Sequence, residues 1–165
     1  MNSKKYIELF TDGAAKGNPG PGGYGTILRF GNIEKEFSQG FRLTTNNRME
    51  LMAVIVGLEA LKSKIHPVRV ISDSKYVVDS ISKGWVHGWV KKGFKGKKNP
   101  DLWKRYLEAQ KELTIEMVWI KGHNGHPENE RCDVLAVNAS TSRNLEIDSF
   151  YESVAKDSED LFVAD

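Results

Sequence analysis

Four acids stand where their chemistry would count: Asp12 in "FTDGAAKGNPGPGGYG", Glu50 in "TTNNRMELMA", Asp73 in "VRVISDS" and Asp133 in "ENERCD". Carboxylates gathered in one place repel and raise one another's pKa unless a cation holds them. Oxygen ligands of this kind suit a hard divalent ion, Mg²⁺ or Mn²⁺, far better than zinc. Three of the four also have a local reason for their position. Asp12 precedes a run of Gly and Pro, which reads as turn chemistry. Glu50 follows Asn47 at capping-box spacing, and Asp133 falls in the first turns of a helix, where it complements the dipole. The set of four, taken together, is what points to a metal. "KGHNGHPENE" adds His123 and His126 between glycines, a mobile setting suited to carrying a proton. A zinc site built from these two and Cys132 would have three ligands and no CxxC partner.

The elements that must gather these residues follow from hydrophobic pattern. "KKYIELFTDG" is nearly continuous in apolarity, as in a strand buried on both faces, with Asp12 at its C-terminal end. "GYGTILRF" and "IEKEFSQGFRL", separated by Gly31-Asn32, read as a hairpin. From "TTNNRMELMAVIVGLEALKSK" the period changes to helical, with Thr44–Asn47 supplying a cap. "VRVISD" is a short β-branched run ending on Asp73, and Ser74 opens a further helix. The order strand, helix, strand implies a right-handed crossover and a parallel pair, which would bring Asp12 and Asp73 to one sheet edge. "DLWKRYLEAQKEL" adds a helix, "TIEMVWIK" a strand, and Pro127 opens a last helix. The expected architecture is α/β, a mixed five-stranded sheet of three antiparallel strands and two parallel additions.

The 165 residues and 39% apolar content describe one domain able to bury a core without staples. A lone cysteine, no signal peptide and no apolar run of membrane length lead to the expectation of a soluble, cytoplasmic protein without membrane association. Net charge is only +2, yet Asp148–Asp165 hold six acids against Lys156 alone, a net of −5 that leaves +7 on residues 1–147. The lysines concentrate in "VKKGFKGKK", with Trp85, Trp89, Phe94 and Trp103 interleaved or flanking, as a phosphate backbone asks.

The ordered motifs "FTDG…GNPGPGGYG", "TTNNRMELMA", "SDS.YV", "GW.HGW", "DLW" and "W.KGH.GHPENERCD" resemble, from Tyr6 to Asn144, the type 1 ribonuclease H family of the bacterial kind. The acidic charge of residues 148–165 favours a disordered extension, the alternative being that Phe150, Tyr151 and Val154 dock on the body. The resemblance implies the ribonuclease H-like fold, helices on both faces of its sheet, with residues 1–147 as catalytic domain. It implies an endoribonuclease that hydrolyses the RNA strand of RNA–DNA hybrids by in-line attack of water, leaving 5′-phosphate and 3′-hydroxyl ends. Two Mg²⁺ ions, with Mn²⁺ as substitute, would be held by Asp12, Glu50, Asp73 and Asp133, and His123 would assist proton movement or product release. Asn18, Asn46 and Asn47 match positions that read the hybrid's minor groove, where a 2′-OH marks RNA. Thr45 and Asn99 resemble a pocket for a DNA phosphate. Trp85, Trp89, Lys91, Lys92, Lys95, Lys97 and Lys98 correspond to a basic protrusion along the DNA strand. The protein is expected to act as a monomer, and removal of primers and R-loops is the implied setting.

Three departures stand out. The stretch from Phe94 to Asp101 is shorter than in bacterial relatives, Lys75 replaces a polar uncharged contact, and the acidic tail has no counterpart in the motifs. Two other readings share the fold: a non-catalytic nucleic-acid-binding module and a DNA-cutting nuclease. A binding module has no need of all four acids, and a DNA nuclease has none of the Asn- and Gly-rich hybrid-reading segments.

Overall fold

The structure is a computed structural model and describes residues 5–163. The long strands β1 (Ile7–Ala15), β2 (Gly20–Phe30) and β3 (Ile33–Thr44) form the expected antiparallel meander, with Gly31 turning the hairpin at positive φ. Helix α1 (Asn46–Glu59) leads to β4 (Val68–Ser72), parallel to β1. Helices α2 (Lys75–Ser82), α3 (Trp85–Lys91) and α4 (Pro100–Ala109) precede β5 (Ile115–Trp119), parallel to β4. Helix α5 (Pro127–Ser140) follows.

Two expectations are corrected beyond it. The sheet has six strands, in the order β5-β4-β1-β2-β3-β6, because β6 (Leu145–Glu146) adds a two-residue parallel bridge to Gly40 and Phe41. A pair that short carries no periodicity, and the Gln39 Nε2 bond to the Asn144 carbonyl at 2.8 Å holds it. The acidic extension is helical rather than disordered from Ser149 to Val163, forming α6. Its root is tied down by Asp148, whose carboxylate is buried against Thr44 and Arg48. Residues 1–4 and 164–165 lie outside those described.

The core is split by the sheet. Residues on opposite parities of a strand face opposite sides, so Leu9, Val68 and Val70 pack with α1 and α4, whereas Phe10, Ile27 and Ile71 pack with Cys132 of α5. A glycine permits the close seat of α5: a Cβ at Gly25 would run into the Cys132 carbonyl. The parity places Asp12 with Phe10 and Asp73 with Ile71 on the α5 side.

Candidate active site

Asp12 does not end its strand. β1 continues to Ala15 because β2 stays paired with it on one side, Asp12 opposite Gly25 and Ala15 opposite Gly22. On the other side the parallel ladder stops at Phe10–Ile71, and β4 ends at Ser72. The acids therefore gather where the ladder stops. Asn129 of α5 bridges that point, its Nδ2 donating to the carbonyls of Thr11 at 3.3 Å and Ile71 at 3.0 Å. Sequence reasoning gave Asn129 no role; its only signal was its place inside "PENERCD".

Glu50 arrives from the opposite layer. The cap of α1 is Thr45, whose Oγ1 accepts the Arg48 amide at 3.2 Å, so Glu50 falls two residues too late for a capping box. Its side chain reaches the cluster because Gly13 lets α1 press on β1: a Cβ there would overlap the backbone of Met49 and Glu50. Gly13→Ala is thus expected to destabilise the fold by about 2 kcal/mol through overpacking. Shifting Glu50 by an ångström should also lower activity about a hundredfold. Thermal unfolding and initial cleavage rates check the two effects separately.

Asp12, Glu50 and Asp73 each offer an oxygen, all within 4.8 Å of one another. Asp133 faces Asp12 from α5, and His123, at left-handed φ of 55°, lines the same cleft of about 480 Å³. Burial first, then the charge of Asp73 and the nearness of Asp133, push the Asp12 carboxyl up to about 7, with Glu50's hydrogen bond opposing. Burial and the charges of Asp12 and Asp73 hold Glu50 well above its usual range. Burial raises Asp73 also, while its backbone hydrogen bond and the charge of His123 oppose. Glu50 Oε2 is enclosed with no hydrogen-bond partner. A buried anion without a donor is costly, and these carboxylates fit a divalent cation as the group that satisfies it. Cys132 takes no part: it is fully buried, donates to the Phe10 carbonyl at 3.3 Å, and burial pushes its thiol up to about 12. The three-ligand zinc reading falls with it.

The other expected residues divide between cleft and flank. Asn46 Oδ1 accepts the Ala15 amide at 2.6 Å, and Asn18 Oδ1 accepts the Asn46 amide at 3.0 Å, so the Gly-rich segment is laced to the start of α1. Asn47 lines both the acidic cleft and a neighbouring groove that Asn18, Thr45 and Asn99 also line. The Asn99 side chain is engaged on both ends, donating to the Tyr76 hydroxyl at 3.0 Å and accepting from Arg48 at 3.3 Å. Trp89 packs edge-on against Trp103 at 5.8 Å, whereas Trp85 is exposed. Lys91, Lys92, Lys95, Lys97 and Lys98 are all exposed, and among the described residues none is paired with a carboxylate. Lys75 lines the cleft and lies over the Trp119 ring at 4.8 Å.

A carboxylate cluster at the end of a parallel ladder, flanked by exposed lysines, marks an α/β protein whose acids suit a divalent cation and whose flank suits phosphodiesters. The family model described as RNase H matches residues 4–141, and the chain belongs to the RNase H family. A Ribonuclease H of Rippkaea orientalis is 52% identical over 157 residues, covering 92% of this chain and 96% of the relative. One of Lachnoclostridium phytofermentans is 54% identical, covering 88% and 99%. Among solved structures, LC9-RNase H1, a type 1 RNase H with the type 2 active-site motif, superposes with a TM-score of 0.72 at 31% identity, covering 94% of this chain and 82% of that one. LC11-RNase H1 in complex with RNA/DNA hybrid gives 0.60 at 28% identity, covering 81% and 95%.

Proposed function

We propose that the protein is an endoribonuclease that hydrolyses the RNA strand of RNA–DNA hybrids, with residues 1–147 as its catalytic unit. The observation that carries the reading is the meeting of acids from β1, α1, the end of β4 and α5 around an unpartnered Glu50 oxygen, beside a basic flank. Asp12, Glu50, Asp73 and Asp133 would hold the metal, two Mg²⁺ ions with Mn²⁺ as substitute. When bound, such ions neutralise charge on the scissile phosphate and lower the pKa of water. The chain's own residues do the rest. The start of α1 and the Gly-rich segment present Asn18, Asn46 and Asn47 to the minor groove, where the 2′-OH distinguishes RNA from DNA. Thr45 and Asn99 receive a DNA phosphate, aided by the helix N-terminus. His123, on its loop, holds or moves a proton as the 3′-hydroxyl and 5′-phosphate ends form. Trp85, Trp89 and the lysines from Lys91 to Lys98 track the DNA strand. The enzyme acts as a cytoplasmic monomer on hybrids such as primers and R-loops; no helix among the described residues is long and apolar enough to cross a membrane.

Incubation with labelled RNA–DNA hybrid, duplex RNA, duplex DNA and single strands, with and without Mg²⁺, tests the proposal. Cleavage confined to the RNA of the hybrid and dependent on metal is expected; an intact hybrid beside a folded, metal-binding protein overturns it. Replacing Lys92 or Lys95 by Ala should weaken hybrid binding and lower the slope of log affinity against log salt by about 1 each, with no change in which strand is cut.

A further inference from the structure

Beside the acidic cleft, and joined to it at Asn47, runs a groove of about 560 Å³. Its two walls differ in chemistry. One carries Thr45 at the α1 N-terminus together with Lys97 and Lys98; the other is Phe150, Tyr151 and Val154 of α6. The second wall lies outside residues 4–141 that the family model matches. It is held in place: Arg42 forks onto Glu152 with bonds of 2.8–3.2 Å, Asp148 is locked by Arg48, and the Arg48 guanidinium sits 5.5 Å from the Phe150 ring. Those pairings engage the two acids at the root of α6, so the wall meets the groove as an apolar surface. Phe150 and Val154 remain 39% and 46% exposed. Asp157, one turn further, is not part of the lining.

We propose that α6 completes the seat of the DNA strand, Phe150, Tyr151 and Val154 meeting the deoxyribose face of the strand whose phosphate the Thr45 side receives. The inference rests on the hybrid reading above and adds α6 to the residues that choose the uncut strand. Thr45 and Glu50 are five residues apart on one helix, about 7.5 Å along its axis, and the cleft and the groove meet at Asn47, so a duplex held over the acids spans both. A strand cut at Glu50 therefore leaves its complement beside Thr45. An apolar wall there favours DNA because a ribose would have to strip water from its 2′-hydroxyl without regaining a hydrogen bond.

Fluorescence anisotropy of labelled hybrid and labelled duplex RNA, in EDTA so that nothing is cut, tests this on the full chain and a Tyr151→Ala/Val154→Ser double variant. The hybrid Kd should rise about 5–10-fold while duplex RNA changes less than about twofold, as expected for losing apolar contact to one sugar type. Val154→Glu, at an exposed position safe for folding, should weaken the hybrid more than about tenfold by placing charge beside a phosphate. Unchanged hybrid affinity in both variants, or equal losses on both ligands, overturns the α6 seat while leaving the hybrid reading intact. An unaltered chain that fails to bind hybrid at all overturns the hybrid reading, and the seat with it.

Discussion

Asp12→Asn is expected to abolish hybrid cleavage, by about a thousandfold or more, and at the same time to stabilise the metal-free protein. Both effects have one origin. Asp12, Glu50 and Asp73 offer oxygens within 4.8 Å of one another; burial raises all three carboxyls above their ordinary values, and repulsion from neighbouring acids adds to it, for Asp73 from Asp133. The unfolded chain releases the Asp12 proton near 3.8, while the folded one keeps it up to about 7. Between those values the native state binds the extra proton, so metal-free stability falls as pH rises through the window. Removing the charge should recover about 2 kcal/mol at pH 8, a rise in Tm of about 5 °C for a chain of this length. It should also flatten the pH dependence. Divalent cation should stabilise the wild type and leave the variant much less affected, since the favourable charge is gone. Calorimetry or circular dichroism between pH 4 and 8, with and without Mg²⁺, decides the matter: identical melting and identical pH slopes would show that the crowding has no energetic consequence.

Arg48→Ala should be the most destabilising change outside the cleft, costing about 3–5 kcal/mol and lowering Tm by about 10 °C or more. Arg48 is buried, and all five of its N–H donors are used. Two reach Asp148 at 2.7 and 2.9 Å, two reach Asp101 at 2.9 and 2.7 Å, and one reaches Asn99 at 3.3 Å. Without the guanidinium, Asp148 keeps only the Thr44 hydroxyl and the Tyr151 amide, and a buried carboxylate is left uncompensated. A chain ending at Ile147 removes the other partner and should lose about 2–3 kcal/mol for the same reason. Because Arg48 lies in the first turn of α1, two residues before Glu50, metal affinity should weaken in both. Urea unfolding of the two variants measures the costs; a truncated chain as stable as the full one would mean that α6 is not anchored through this network.

The contrast between these two sites shows what could be read in advance. The four acids and His123, which the fold brings to one cleft, stand out in the sequence by their types and the order of their motifs, and the long strands and α1 by their strong periodicity. The position of Asp12 inside β1 was not, since the point where a ladder stops depends on the neighbouring strand rather than on residues 7–15. Nor was the cap at Thr45, since four consecutive polar residues offer equivalent starts to the helix and the structure places the cap at the second of them. Asn129 was invisible because its partners are backbone carbonyls, which no side-chain pattern reports.

The tail gives the sharpest case. Its composition, six acids against one lysine, predicts a solvated extension, and that inference treats every charge as facing water. Asp148 instead meets a guanidinium 100 residues away, which turns a charge that opposes folding into one that fastens α6. By itself, then, the sequence determined the kind of chemistry, the elements and the basic body, because these depend on residue type and short-range spacing. Only the tertiary structure decided which carboxylates lie together, which cation is buried and which helix walls the groove, because pairing energies depend on distance and desolvation, and neither is a property of neighbours along the chain.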